Sequence, residues 1–178
     1  KERNFLFSSQ IYHATLVNYR CTGGFTYFVL HFIHATFCIE PRNLAAATAF
    51  CHQINNPEDD LNVSSIPKAL ILFNPVIDNG PHGYGFDRVK DYYRDFSPIH
   101  NIKKDAPPAI FFLGSEDNIV LLETALKFKK KMEHVGSRCD LLLYPGQKHG
   151  FFNAKFEEFF EKTMSATVVF LKSLGYIK

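Results

Sequence analysis

The sequence has little surplus of either charge: 20 Lys and Arg against 18 Asp and Glu leave a formal net charge of +2. The basic residues are dispersed. Their densest group, Lys127 with Lys129, Lys130 and Lys131, is interrupted by Phe128 and reads as the solvated face of a helix. No nucleic-acid partner is expected. Cysteine is sparse as well, and Cys21, Cys38, Cys51 and Cys139 form no C-x-x-C pair. That spacing argues against a zinc site or a thioredoxin-like motif, and the thiols are expected to be free and mostly buried. The longest apolar stretch, residues 25–39, holds His31 and His34 and is too short to span a bilayer. It reads as a buried element, and no membrane is expected. No secretory leader is legible, because Ser8, Ser9 and Gln10 break the first apolar stretch after Lys1-Glu2-Arg3-Asn4. Repeats and low-complexity segments are absent too.

What is present is apolar mass: 46% of 178 residues. A single domain of this size buries about two-thirds of the surface its unfolded chain exposes. The order of elements then carries the fold. Residues 11–19 read as a strand, and 27–32 as either strand or buried helix, which periodicity alone does not separate. Residues 44–51 (LAAATAFC) form a slim, alanine-rich helix, and 55–65 a polar loop. Residues 69–73 and 109–113 are buried strands, and 140–144 is a third strand. Between the first two lies an excursion rich in Gly and Pro, with one short helix predicted over 87–93. Residues 121–134 are an amphipathic helix with Leu122, Ala125, Leu126 and Met132 as its apolar side and Gly136 as its C-cap. A long helix over 156–174 ends at Gly175. This alternation predicts an α/β fold, a mostly parallel sheet flanked by helices.

In such sheets chemistry sits on the loops that leave the carboxyl ends of the strands. Two of these loops carry suitable groups: Gly114-Ser115-Glu116-Asp117-Asn118 and Pro145-Gly146-Gln147-Lys148-His149-Gly150. Asp117 and His149 are thus an acid and a base on neighbouring strand ends, where a carboxylate can fix an imidazole's tautomer. Taken alone, Asp117 also reads as an N-terminal acid of the next helix and His149 as an ordinary loop histidine. Gly146 and Gly150 suggest tight turns that aim His149. His31 and His34 share a face only on a helix and have no evident third ligand, so neither metal nor cofactor is expected. His52, His82, His100 and His134 have no motif around them, and Ser115 reads as a turn residue.

The stretch from Phe111 to Asp117 (FFLGSED) and that from Tyr144 to Asn153 (YPGQKHGFFN) resemble the closing part of an α/β-hydrolase. The resemblance is to the esterase and acetylxylan-esterase-like branch, related to the prolyl-oligopeptidase-type hydrolases. Leu72 to Asp78 (LFNPVID), Phe96-Ser97-Pro98 and the terminal run from Phe170 to Tyr176 (FLKSLGY) fit the same branch. Asn18-Tyr19-Arg20 resembles the strand end ahead of the nucleophile segment. The match covers about residues 44–178 of one α/β-hydrolase-like domain spanning 1–178 and is poor over 1–43. The resemblance implies a truncated or rearranged hydrolase fold, with Asp117 as triad acid and His149 as triad base.

The resemblance also places a G-x-S-x-G nucleophile turn just before the alanine-rich helix, centred near Ile39. There the chain reads Cys38-Ile39-Glu40-Pro41-Arg42-Asn43, without serine or glycine. Pro41 has no N–H to offer an oxyanion, and bulky neighbours crowd a strained turn. Gly23-Gly24 reads as a turn, not an oxyanion strip. Cys38 is the nearest thiol to the expected position. Two functions are therefore expected: hydrolysis of a small ester, or a catalytically inactive hydrolase relative or fragment with a binding or structural role. An uncovered sheet edge would further allow a homo-oligomer. A flavodoxin-like binding domain is a remote third reading, disfavoured by the Asp117 and His149 loops.

Overall fold

The computed structural model describes residues 15–20, 26–32, 35–38, 44–51 and 66–178, the first three segments as backbone only. Six strands among them form one sheet in chain order: β1 (Thr15–Arg20), β2 (Thr26–Phe32), β3 (Ala35–Cys38), β4 (Leu70–Phe73), β5 (Ala109–Gly114) and β6 (Cys139–Tyr144). β3, β4, β5 and β6 run parallel, whereas β1, β2 and β3 pair antiparallel. The change follows from connection length. Residues 21–25 and 33–34 are too few for a crossover, so these strands fold back as hairpins. The ambiguous run over 27–32 is thus a strand, and His31 lies in it; His34 lies outside the described residues.

β4 and β5 are covered on both faces, which is why they are apolar throughout instead of alternating. β5 is buried at every position. Its odd-numbered side chains, Phe111 and Leu113, join a core with α1 (Leu44–Phe50). Its even-numbered Ile110 and Phe112 face the opposite core. The β4–β5 connection is an irregular excursion. Where one helix is predicted over 87–93, two single turns form, α2 (Phe86–Val89) and α3 (Tyr93–Phe96). Lys90 between them has φ 39°, which a continuous right-handed helix does not allow.

α4 (Leu122–His134) packs on the α1 face through Ala125, Phe128 and Met132. The predicted apolar side is half right. Leu122 and Leu126 are exposed, and the residue that interrupts the lysine cluster, Phe128, is fully buried. Spacings of three and seven put 125, 128 and 132 on one stripe, while Leu126 sits roughly 100° around the helix from Ala125. The helix ends in the predicted glycine cap, with Ser137 N–H donating to Met132 O and Gly136 N–H to Glu133 O. α5 (Glu157–Ser173) covers the other face with Phe170 and Leu171. No helix among the described residues is long and apolar enough to cross a membrane.

Candidate active site

Strand register brings the two chemistry-bearing loops together. Gly114 pairs with Tyr144, so β5 and β6 end level and their loops leave side by side. The loops are stitched at once: Ser115 N–H donates to Tyr144 O, Glu116 N–H to Gln147 O, and Gly146 N–H to the Ser115 hydroxyl. Ser115 is thus a turn residue, as its sequence context suggests. The contact requires glycine at 114, where a Cβ would lie 2.1 Å from the Gln147 carbonyl oxygen. Gly146 and Gly150 both have positive φ, at 71° and 80°, and they bend the second loop so that His149 turns back toward the first.

There His149 Nδ1 lies 2.8 Å from Asp117 Oδ2 and 3.1 Å from Oδ1. The Asp117 side chain is 1% exposed and that of His149 is 15% exposed. Asp117 accepts further hydrogen bonds from Ile119 N–H at 2.8 Å and Val120 N–H at 2.9 Å, both at Oδ1. Asn74 Nδ2 donates to Oδ2 at 2.8 Å. A buried carboxylate is costly unless its lone pairs are filled, and these are. With Asp117 ionised, His149 Nδ1 carries the proton it donates, which leaves Nε2 as the basic nitrogen.

Burial by itself would push the Asp117 carboxyl up. The hydrogen bond from His149 and those from Val120 and Ile119 outweigh it and hold the group below the ordinary carboxylate range. Because the folded value is the lower one, the unfolded chain binds more protons in acid. The stabilisation is fully present above about pH 4 and is lost as pH falls through the folded value. Urea denaturation at pH 7 and pH 3 should therefore show a larger loss of stability in acid for the native chain than for Asp117→Asn.

Asn74 has no role in the sequence reading, although it lies within the LFNPVID stretch. Its signal was a polar amide closing an apolar strand at the carboxyl edge of the sheet. It is fully buried, and its N–H continues the ladder by donating to Phe112 O. Cys51 and Cys139 are free and buried, and burial pushes their thiols up to about 11 and about 12. Both remain protonated thiols, poorly suited to nucleophilic attack. Cys38 lies in β3, and the expected nucleophile position at Ile39 lies outside the described residues.

A serine–histidine–aspartate neighbourhood lies in the excursion, and its geometry differs from that of the Asp117–His149 pair. Ser97 Oγ at 2.8 Å and Asp78 Oδ1 at 3.8 Å both approach the same His100 nitrogen, Nδ1. Ser97 is fully buried, and its hydroxyl accepts from Asn79 N–H. Burial holds His100 below the ordinary histidine value despite Asp78, with Lys131, Lys127 and Arg94 adding to the effect. This set ties the excursion together and offers no relay. Among the described residues no group of three or more His, Cys, Asp or Glu is placed to hold a metal ion. A cleft of about 200 Å³ lies nearby between Val76, Ile77 and Tyr84 on one side and Ile119, Val120 and Leu121 on the other.

The sequence pattern of the prolyl oligopeptidase family matches residues 76–172, which include Asp117 and His149. The chain belongs to the prolyl oligopeptidase family. Solved structures of esterase 2 from Thermogutta terrifontis resemble it closely. The apo form has a TM-score of 0.70 and 34% identity over 76% of this chain and 53% of its own. The form phosphoramylated by tabun has a TM-score of 0.69 and 35% identity, over 76% and 52%. Esterase LipC of Mycobacterium tuberculosis is 36% identical over 66 residues, which are 36% of this chain and 16% of that protein. The chain thus spans about half the length of the solved relatives. Its α/β-hydrolase fold and ester-hydrolase ancestry agree with the reading from sequence.

Proposed function

We propose that the chain carries the acid–base half of a carboxylic ester hydrolase site, with His149 as general base and Asp117 as the carboxylate that orients it. The observation that carries this reading is the 2.8 Å contact between His149 Nδ1 and the buried Asp117 carboxylate at adjacent strand ends. In the proposed reaction Nε2 takes the proton of a nucleophilic hydroxyl or thiol as that group attacks the ester carbonyl. The carbonyl π electrons move onto oxygen, and backbone N–H groups stabilise the oxyanion. On collapse the protonated imidazole gives its proton to the departing alcohol. Water, deprotonated by the same nitrogen, then attacks the acyl group; the acyl–nucleophile bond breaks, the acid leaves, and the imidazolium returns its proton to the nucleophile. Asp117 stays ionised throughout and stabilises the imidazolium.

The expected substrate is a small ester, and the names of the esterase relatives support an ester as its class. A second reading, an inactive relative that keeps the fold for binding, is favoured by the run Cys38-Ile39-Glu40-Pro41-Arg42-Asn43, which holds no serine and no glycine. Hydrolysis of p-nitrophenyl acetate by the full chain separates the two. Turnover that His149→Ala abolishes is the result expected of the hydrolase. Release of nitrophenol at the rate of buffer alone would favour the inactive relative.

A further inference from the structure

We propose that Asn74 is a positioning residue that locks the geometry of the Asp117–His149 pair. The inference rests on the reading of those two residues as acid and base. Asn74 sits at the end of β4, the strand next to β5, and its single amide reaches both partners. Nδ2 donates to Asp117 Oδ2 at 2.8 Å, and Oδ1 accepts from Gly150 N–H at 3.3 Å. The two ends of the amide are assigned by chemistry, since a carboxylate only accepts and a backbone N–H only donates.

These bonds close a ring. It runs from the amide to the Asp117 carboxylate, through the 2.8 Å bond to the His149 imidazole, along one peptide to Gly150 and back to the amide. Asp117 Oδ1 is already fixed by the backbone of Ile119 and Val120. Oδ2 takes the bond from His149, and Asn74 adds a second donor that holds this oxygen in place. The same side chain restrains the backbone immediately after the base. A shift of either loop therefore breaks two bonds at once, one to Asn74 and the one between acid and base.

Backbone conformation narrows the choice of residue further. Asn74 has φ 42°, in the left-handed region that Gly, Asn and Asp tolerate best. Of these, Gly has no side chain to bond. Asp keeps the acceptor for Gly150 but loses the donor and sets a second carboxylate against Asp117. Asn alone among them supplies donor and acceptor together at this conformation.

The test is proton NMR of the 178-residue, 15N-labelled chain, reading the His149 Nδ1 proton, which is assigned by its loss in His149→Ala. Asn74→Gly keeps the backbone conformation and removes the amide; Asn74→Asp keeps size and shape and removes the donor. In both, exchange of that proton with water should accelerate about tenfold or more, in line with loss of a hydrogen bond to a charged group. The Gly150 amide should follow. Thr167→Val, which removes the buried bond to Thr163 O within α5, controls for general loosening and should leave both protons unchanged. Unchanged exchange in the folded Asn74 variants, or equal acceleration in Thr167→Val, would overturn the proposal while the Asp117–His149 reading stands. Absence of the Nδ1 proton from the native chain would overturn that reading and Asn74's role with it.

Discussion

Asp117→Asn is expected to lower ester hydrolysis by about 10⁴-fold, as losing the carboxylate of such a triad does elsewhere. The substitution keeps shape and volume, so the backbone bonds from Ile119 and Val120 can persist at the side-chain oxygen. What changes is the group that His149 and Asn74 both bond at Oδ2. An amide NH2 facing Nδ1 favours the tautomer with its proton on Nε2, the nitrogen required to be basic. It also removes the negative charge that stabilises the imidazolium as it forms. Both effects fall on the transition state, so kcat should drop while KM changes little. Steady-state kinetics with p-nitrophenyl acetate check this. A kcat within about tenfold of the native value would show that the carboxylate does not orient a working base.

Phe112→Ala should destabilise the fold by about 3–5 kcal/mol, the usual cost of emptying a buried aromatic site. Phe112 is fully buried on β5, which is paired on both sides, and stacks on Phe73, with centroids 4.8 Å apart. Phe73 in turn contacts Phe152, and Tyr144 contacts Phe151, so the aromatic layer continues from the sheet into the segment after His149. Interiors of this kind collapse poorly around a missing ring, because the strands on either side are held by their ladders. Denaturant titration followed by circular dichroism measures the loss. A change under about 1 kcal/mol would mean that this aromatic layer is loosely packed.

Much of the parallel half was legible because its signals are local. The apolar strands over 69–73, 109–113 and 140–144 and the alanine-rich helix were each readable within a few residues of their observed ends. Asp117 and His149 were legible as a candidate pair because both follow strands readable in the sequence, and Gly146 and Gly150 announced the turn that carries His149. Three features were not. The hairpins of β1, β2 and β3 depend on which partner each strand finds. Phe128 looked like an interruption in a charged run, and only the direction from which the sheet approaches α4 makes it core. Asn74 was hidden because its partners are 43 and 76 residues away, and nothing in its neighbourhood records them.

The most direct test of the Asp117–His149 site is intact-mass analysis of the folded chain after exposure to a fluorophosphonate, followed by peptide mapping. A working acid–base pair predicts a stoichiometric adduct on one serine or cysteine, and none in His149→Ala. The mapped residue would identify the nucleophile that His149 serves. Folded protein that takes up no probe, or labels equally fast without His149, would contradict the account and leave the chain an inactive member of its family.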